Sequence, residues 1–334
     1  MAEVNITEAY KAVDEMVDLR TTVEIVFSAI CLLTLIIASV FGNIAVIIAV
    51  VVNRNLREAQ ASFLIVNLAV TDLINGLTVM VSSFCSMVAD HWVFGDAMCS
   101  IVCAINYCLI ITSMLTLCFI SFDRYQAVLH PMKYPMWISR NKVCMAIAYS
   151  WIQGVVFSVV PVILQWIQYD YWEAVCAIQW QQEKKQAVYY VVTAFLLCFF
   201  LPGLALVVNY FLVVREVRRA SRLIQPFNER LASRKSNYSQ SSKVVNSLLV
   251  VVMAYFVCMT PFSVTKLIKV IVTDTSFVPG RINTLASLVG YCSSAVNPLV
   301  YGLLRKDFKS SYKLILKKIL HPTLKVTTQN DTSF

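Results

Sequence analysis

Residues 23–52 read VEIVFSAICLLTLIIASVFGNIAVIIAVVV, and this stretch decides the fold class. Its single charged residue, Glu24, lies at its beginning. Roughly twenty helical residues are enough to cross a hydrocarbon core about 30 Å thick. A segment in hydrocarbon must also satisfy its own backbone hydrogen bonds, which a helix does. The stretch therefore predicts a transmembrane helix.

Six further apolar stretches follow, separated by short polar loops. They lie near Ser62–Val88, Ala97–Phe122, Val143–Leu164, Ala187–Val214, Val244–Val272 and Ile282–Leu304. The chain is 58% hydrophobic and only 14% charged, and the charges fall between these stretches. We therefore predict an all-α membrane protein with a bundle of seven transmembrane helices over residues 23–304.

The distribution of charge predicts the orientation. With the N-terminus outside, the intracellular segments hold 21 of the 28 Lys and Arg residues but only 6 of the 19 acidic residues. This excess follows the positive-inside rule. Residues 1–22 are thus expected outside the cell, residues 321–334 form a cytoplasmic tail, and the protein is expected in the plasma membrane. The basic charge reflects this topology and contact with membrane lipids, so no binding of nucleic acid is expected.

Most of the eleven cysteines lie within apolar stretches, where they pack as small apolar side chains. Cys99, at the outer end of the third helix, and Cys176, in the second outer loop, instead face the oxidising side of the membrane. A disulfide between them is predicted, with two unpaired thiols as the alternative. On the same side, Asn5-Ile6-Thr7 matches the acceptor sequence for N-glycosylation.

Asp72 is the one carboxylate at mid-membrane depth in this sequence. An ionisable side chain there is costly and marks a candidate functional site. Its expected partners are Asn43, Ser113, Ser294 and Asn297. Their oxygens suit an allosteric sodium ion, and the alternative is a purely structural polar cluster around a protonated Asp72. No other metal and no cofactor is expected.

Each predicted helix carries a short motif, and the motifs occur in a fixed order. They are Gly42-Asn43, Leu68-Ala69 with Asp72, Cys99, Asp123-Arg124-Tyr125, Trp151, Pro202 with Tyr210, Cys258 with Pro261, and Asn297-Pro298-Leu299-Val300-Tyr301. This ordered set, which spans Phe41 to Leu320, resembles the rhodopsin-like (class A) G-protein-coupled receptors. The chain is most similar to orphan receptors beside the amine-receptor group.

The resemblance implies a receptor, not an enzyme, that passes a ligand signal or constitutive activity to heterotrimeric G proteins by outward movement of helix six. Arrestin and receptor kinases are implied as further partners. The residues implied in coupling and activation are Asp123, Arg124, Tyr125, Met132, Tyr210, Asn297, Pro298 and Tyr301. A seven-helix transporter or channel is the alternative, although one buried acid and no visible internal symmetry disfavour it.

The chain departs from the family pattern at positions that restrain the inactive state. Met259 stands where the family has a tryptophan, Tyr255 replaces a phenylalanine, and Met114 replaces an isoleucine. No acid occupies the start of helix six, where Ser241-Ser242-Lys243 stand, so Arg124 lacks a second carboxylate partner. These departures predict signalling without added ligand.

The ligand class stays open. Asn106 stands where monoamine receptors have an aspartate, and Tyr291 stands where opsins have a lysine. The implied pocket residues are Asn106, Tyr107, Phe195, Phe262, Lys266 and Tyr291, with ordinary packing as the alternative for the aromatic rings. Lys266 would attract a carboxylate or phosphate, or else Lys266 and Lys269 both extend to the membrane interface, which we favour.

Residues 305–320 alternate apolar and basic side chains with helical period. This pattern predicts an amphipathic eighth helix on the inner leaflet. The chain ends Thr332-Ser333-Phe334, which matches a short recognition motif of PDZ domains.

Overall fold

The computed structural model describes residues 19–179, 184–224, 232–272 and 277–320; within this part, side chains are described except at 184, 185, 187, 220–248 and 318–320. Seven long helices run through it. They are α1 (Thr22–Val52), α2 (Ala61–Ala89), α3 (Gly95–Leu129), α4 (Arg140–Ile163), α5 (Lys184–Phe195, Leu196–Phe200 and Leu201–Ile224 in succession), α6 (Ala232–Ile271) and α7 (Gly280–Leu304). The bundle confirms the prediction of an all-α membrane protein with seven helices.

Six of these helices, α1 to α6, are long and apolar enough to cross a membrane. Their outward faces carry bare apolar side chains such as Phe27 and Phe41, which suit contact with lipid. The seventh, α7, buries a row of polar residues and packs between α1 and α6. Short helices, Arg54–Glu58 and Tyr134–Trp137, form the first and second inner loops.

Close helix contacts depend on glycine, because helices in lipid associate through tight packing of small residues. A Cβ atom on Gly42 of α1 would come within 2.8 Å of Pro298 on α7. A Cβ atom on Gly154 of α4 would come within 2.7 Å of Thr112 on α3. Both glycines are therefore required for the observed helix spacing.

Irregular turns interrupt α2 and α5. Residues Gly76–Met80 of α2 and Leu196–Phe200 of α5 are π-helical. The turn in α5 precedes Pro202, which lacks an amide hydrogen and so frees a carbonyl one turn earlier. The carbonyl of Leu197 accepts a hydrogen bond of 3.2 Å from Gln153 on α4 instead. A side chain of the neighbouring helix α4 thus compensates for the interruption of α5 beside Pro202.

The end of the bundle predicted to be extracellular, called the outer end below, is covered by a β-hairpin. Strands β1 (Ile167–Asp170) and β2 (Val175–Ile178) pair antiparallel, with Ile167 opposite Ile178 and Asp170 opposite Val175. All four residues of β2 are buried against the helices. Cys176 forms a disulfide with Cys99 at the start of α3, which confirms the predicted bridge.

Arg20 ties the hairpin to the beginning of α1. Its side chain is 1% exposed and lies 4.0 Å from the centre of the Tyr171 ring, and it also donates to the backbone oxygen of Tyr171. Tyr171 Oη in turn donates to Asp90 Oδ2 at 3.0 Å. The hairpin is therefore fixed to α1 and α2 as well as to α3.

A further helix, α8 (Lys306–Leu320), follows α7 after a one-residue break and packs against α1 and α7. Phe308 is fully buried, and its ring stacks on that of Tyr301 with centroids 5.3 Å apart. Asn53 Nδ2 on the first inner loop donates to Ser311 Oγ at 3.1 Å. A helix is present where one was predicted, and its place on the inner leaflet stays a prediction.

Replacing Cys99 or Cys176 by serine should prevent delivery of the protein to the cell surface. The two variants should behave alike, because either change removes the same disulfide. A native disulfide stabilises by about 2–4 kcal/mol, a large share of the stability of most domains. Surface labelling of intact cells measures the effect, with Cys144→Ser as the control since Cys144 is an exposed free thiol. Normal delivery of either single variant would contradict a structural role for the bridge.

Candidate functional site

Asp72 lies deep in the bundle on α2 and is only 4% exposed. Its Oδ2 accepts a hydrogen bond of 2.7 Å from Asn297 Nδ2 on α7. Its backbone oxygen accepts one of 3.1 Å from Ser39 Oγ on α1. One residue thus links three helices, as expected for a carboxylate that must find its partners inside the protein.

A cavity of about 40 Å³ adjoins this carboxylate, and we call it the polar lobe. Ser113, Ser294 and Asn297 line it as predicted, together with Asn75. Asn75 Nδ2 donates to Ser294 Oγ at 3.1 Å, while its Oδ1 is buried without a hydrogen-bond partner in the described part of the chain. The lobe exceeds the roughly 10–15 Å³ that one water molecule needs.

The oxygens of the polar lobe fit a small, hard cation. Such ions prefer carboxylate, amide and hydroxyl oxygens, and the lobe offers one carboxylate and several neutral oxygens. Among the described residues there is no group of three or more His, Cys, Asp or Glu side chains that would hold a metal ion. The donor set therefore suits a singly charged cation better than a divalent transition metal.

Asn43, which the sequence grouped with Asp72, does not line the polar lobe. Its Nδ2 donates to the backbone oxygens of Ser39 at 2.9 Å and Ser294 at 3.0 Å. The side chain therefore bridges α1 and α7 beside the lobe. Its contribution is to the position of α7 and not to the wall around Asp72.

The polar lobe extends toward the outer end of the bundle as far as Asn106, Phe262 and Tyr291. Asn106 and Tyr291 are 7% and 8% exposed. The Tyr291 hydroxyl lies 2.9 Å from Ser83 Oγ on α2, so it is already hydrogen-bonded within the protein. Three of the six predicted pocket residues thus lie in the cavity that also reaches Asp72.

A second cavity, of about 160 Å³, lies between α3, α5 and α6, and we call it the apolar lobe. Tyr107, Phe195 and Lys266 line it, and Phe262 belongs to both lobes. Ile178 of the hairpin forms part of its wall. The structure therefore brings all six predicted pocket residues to two adjoining cavities, and the hairpin covers the apolar one.

Lys266 and Lys269 both bind acidic residues of the hairpin. Lys266 Nζ lies 2.5 Å from Glu173 Oε2, and Lys269 Nζ lies 2.9 Å from Glu173 Oε1 and 2.7 Å from Asp170 Oδ2. These side chains are between 2% and 19% exposed, so the two ammonium groups and the two carboxylates neutralise one another in a buried lysine–carboxylate cluster. The expectation that both lysines extend to the membrane interface is wrong, because the loop supplies carboxylates that the sequence alone did not place.

The nearby lysines lower the pKa of Asp170. Burial by itself raises the pKa of a carboxyl group, but the attraction of Lys266 and Lys269 outweighs burial and holds the pKa of Asp170 below its usual value. The carboxylate therefore stays charged at neutral pH and keeps its lysine partners.

At the inner end, Asp123 and Arg124 form an ion pair on α3. Arg124 Nε donates to Asp123 Oδ2 at 2.8 Å, and Tyr134 Oη from the second inner loop donates to Asp123 Oδ1 at 2.8 Å. Burial, with the Asp123 carboxylate nearby, raises the pKa of the Tyr134 hydroxyl to about 12, so it remains a donor. The side chains of Ser241-Ser242-Lys243 lie outside the described part of the chain.

The other predicted coupling residues lie at two levels of the bundle. Asn297 binds Asp72 and Pro298 packs against Gly42, whereas Tyr125, Met132, Tyr210 and Tyr301 lie closer to the inner end. Tyr210 and Tyr301 are 4% and 1% exposed, and neither hydroxyl has a hydrogen-bond partner among the described residues. Met132 is 89% exposed on the second inner loop. Tyr125 is half-buried, with its ring 6.3 Å from that of His130. Buried tyrosine hydroxyls normally have hydrogen-bond partners. The hydroxyls of Tyr210 and Tyr301 are therefore able to form new hydrogen bonds in another conformation.

Sequence reasoning missed several members of these sites. Asn75 follows Asp72 by three positions and therefore shares its helix face, a spacing that would have revealed it. Glu173 and Tyr134 lie in loops and reach their partners only through the hairpin and the second inner loop. No local pattern in the sequence indicates either contact.

A family model described as 7 transmembrane receptor (rhodopsin family) matches residues 42–301, which is most of the described bundle. The chain belongs to this receptor family. It is a G-protein-coupled receptor, and the transporter or channel alternative receives no support. The family consists of receptors and not of enzymes.

Several amine receptors are similar to this chain over most of its length. The histamine H2 receptor of Cavia porcellus is 30% identical over 297 residues, which cover 87% of this chain and 79% of that receptor. The human 5-hydroxytryptamine receptor 4 is 25% identical over 302 residues, 85% of this chain and 77% of that receptor. The octopamine receptor beta-1R of Drosophila melanogaster is 24% identical over 85% of this chain, which spans 60% of that receptor. The resemblance to class A receptors near the amine group is therefore confirmed.

A crystal structure of squid rhodopsin has the same fold. It superposes with a TM-score of 0.80 at 21% identity and covers 92% of this chain and 89% of that one. At this identity the similarity concerns the arrangement of helices alone.

Neutralising either Lys266 or Glu173 alone should destabilise the receptor more than neutralising both. Lys266→Met alone leaves Glu173 with one partner fewer, and breaking a buried pair typically costs about 3–5 kcal/mol. Glu173→Gln should have a similar effect, whereas the double variant should recover part of the loss. Thermal unfolding of the purified receptor measures all three. Single-variant losses that simply add in the double variant would show that the two side chains do not interact.

Proposed function

We propose that this receptor lies in the plasma membrane with its N-terminus outside, and that it passes an extracellular signal or its own basal activity to heterotrimeric G proteins by outward movement of α6. The observation that carries the proposal is the inner end of α3. There Arg124 is held only by its neighbour Asp123 among the described residues, with Tyr134 completing the carboxylate's bonds.

The inner ends of α5 and α6 support this movement. A groove of about 820 Å³ separates them, with Val252 and Phe256 of α6 on one side and Leu206 and Tyr210 of α5 on the other. Helix α6 also contains Pro261, where the missing hydrogen bond allows a bend. When Arg124 leaves Asp123 it reaches the side where Tyr210 and Tyr301 hold free hydroxyls, and the open cavity then accepts the G protein.

The packing above the inner cavity supports basal activity. Met114, Tyr255 and Met259 are buried in the same apolar core. Tyr255 Oη donates to the backbone oxygen of Ile110 only at 3.5 Å, and Met259 accepts a long contact of 3.9 Å from Ser293. Methionine adapts to several arrangements, so this core restrains α6 weakly.

Three further parts of the proposal extend beyond these contacts. A sodium ion bound by Asp72 and the oxygens of the polar lobe would act as an allosteric ligand of the inactive bundle. Arrestin and receptor kinases would bind the active inner face, and anionic lipids would contact the basic inner surface. Asn5, the proposed glycosylation site, and the C-terminal Thr332-Ser333-Phe334 lie outside the described residues.

Arg124→Ala should abolish nucleotide exchange on a G protein without reducing surface expression, because the residue faces the inner cavity. The matched control is Arg54→Ala, whose side chain is 81% exposed and pairs with Glu58 on the same short helix. Second-messenger production in untreated cells compares the two variants with wild type at equal expression. We expect wild type and the control to exceed the Arg124→Ala baseline.

In the same assay, Ser241→Glu should lower the basal signal by supplying Arg124 with a second carboxylate. A change of about 1.4 kcal/mol shifts a two-state equilibrium tenfold, for example from about ten per cent active to about one. An exposed ion pair is worth less than about 1 kcal/mol, so a drop of a few-fold is expected. Wild-type activity equal to that of Arg124→Ala would contradict basal activity.

Sodium should raise the melting temperature of the purified receptor above its value in potassium, because the oxygens around Asp72 bind the smaller ion. Asp72→Asn should remove this difference while leaving the receptor folded, since an amide fills the same space without attracting a cation. Titration of each salt at constant ionic strength measures the effect. Equal melting temperatures of wild type in both salts would leave the polar cluster as a purely structural one.

A further inference from the structure

The apolar lobe is lined almost wholly by apolar and aromatic side chains. Five aromatic rings face it from three helices: Tyr107, Tyr190, Phe195, Phe199 and Phe262. Aliphatic residues such as Ile111 and Val270 complete the wall. Pockets of this composition bind ligands mainly through burial of apolar surface and contacts with rings.

Among the described residues, the pocket offers no free negative charge to an amine. Asn106, on α3 in the wall of the polar lobe, is a neutral amide and cannot balance an ammonium group. Glu173 and Asp170, carboxylates of the hairpin that covers the apolar lobe, are already bound by Lys266 and Lys269. Asp72 lies at the opposite end of the polar lobe and is bound by Asn297. Burying a cation without a counter-charge is strongly unfavourable.

Nor do the described residues offer a free positive charge to an acid in this pocket. Lys266 is the only charged residue among those that line the apolar lobe in the described chain, and its ammonium pairs with Glu173 at 2.5 Å. It also lies 5.2 Å from the centre of the Phe262 ring. Two lysines and two carboxylates cancel within the cluster, so an anionic ligand would have to displace a carboxylate that the disulfide-bound hairpin holds in place.

One hydroxyl in the apolar lobe has no acceptor for its hydrogen. The Tyr107 hydroxyl is buried beside the backbone N–H of Ile178, and it donates no hydrogen bond within the described part of the chain. A buried hydroxyl hydrogen without an acceptor is unfavourable, and a ligand hydroxyl or carbonyl oxygen would satisfy it. Ser263 is a second hydroxyl in the same wall.

We infer that the outer pocket binds an uncharged, mainly apolar molecule that carries one hydroxyl or carbonyl group, with its apolar part in the lobe of aromatic rings and its oxygen on Tyr107. This inference rests on the proposed receptor function and names the chemical class of its ligand. The pocket thereby differs from one built for an amine, although amine receptors are among the relatives of this chain.

The test compares three probes that share a phenylpropyl carbon skeleton and end in a neutral, a cationic or an anionic group: 3-phenyl-1-propanol, 3-phenylpropylamine and 3-phenylpropionate. Binding is measured as the shift in melting temperature of the full-length purified receptor at neutral pH, where the last two are charged. The alcohol should give a saturable rise of about 2–4 °C. The amine and the acid should give none.

Three variants test whether the shift arises from binding in the apolar lobe. Tyr107→Phe keeps the ring and should reduce the apparent affinity for the alcohol several-fold. Ala194→Phe on α5 fills the lobe and should abolish the shift, whereas Ala205→Phe, on the same helix but lining a separate groove between α3, α4 and α5, should preserve it. Because each shift is compared with the variant's own melting temperature, a general loss of stability does not imitate loss of binding.

Glu173→Gln gives an independent check on the charge argument, because it frees the Lys266 ammonium. The acid probe, inactive on wild type, should then raise the melting temperature, and the amine should remain inactive. A wild-type receptor that prefers the amine or the acid to the alcohol would overturn the inference. An equal alcohol shift in Ala194→Phe and wild type would overturn it as well, since binding would then occur outside the lobe.

The binding assay contains no G protein, so it separates this inference from the proposed function. An alcohol-specific shift in a receptor that never promotes nucleotide exchange would support the ligand class and count against signalling. Exchange that is independent of Tyr107 and of all three probes, with no melting shift, would support signalling and count against the ligand class.

Discussion

The Asp72 carboxylate at mid-membrane depth constrains the whole bundle. Lipid offers this carboxylate no partner, so its bonds come from within the bundle: Asn297 of α7 donates to its Oδ2, and Ser39 of α1 donates to its backbone oxygen. A second hydrogen bond between helices lies closer to the inner end, where Trp151 Nε1 of α4 donates to Asn67 Oδ1 of α2 at 2.9 Å. Lipid provides no hydrophobic force between helices, and such interhelical hydrogen bonds together with close glycine contacts determine how the helices pack.

The two ends of the bundle are restrained in different ways, and this difference determines which end of the helices can move. At the outer end, a disulfide, the Arg20–Tyr171 contact and the lysine–carboxylate cluster fix the hairpin to three helices, α3, α1 and α6. At the inner end, Arg124 is held by a neighbour on its own helix, and α5 and α6 are separated by a groove. A conformational change is therefore expected at the inner ends of the helices, with the outer end as the fixed part.

Much of this architecture follows from the sequence, because seven apolar stretches predict the seven helices and the distribution of charge predicts their orientation. Asp72, Asn297 and the disulfide were also predictable, since a buried acid needs polar partners and both cysteines are predicted on the oxidising side. Contacts that depend on helix rotation were not: Asn43 points at backbone oxygens beside the polar lobe and not into it. The sequence also did not predict that Glu173 reaches Lys266, because that contact requires the hairpin to turn its acids inward.

Outward movement of α6 when the inner cavity accepts a G protein is tested most directly by the distance between two spin labels. One label occupies Cys144, an exposed cysteine at the inner end of α4, and the other a cysteine at Val250, which is 43% exposed on α6. With nucleotide-free G protein bound, the account predicts that the distribution of label distances shifts to longer values, and that Arg124→Ala reduces this shift. An identical distribution with and without G protein would contradict the account.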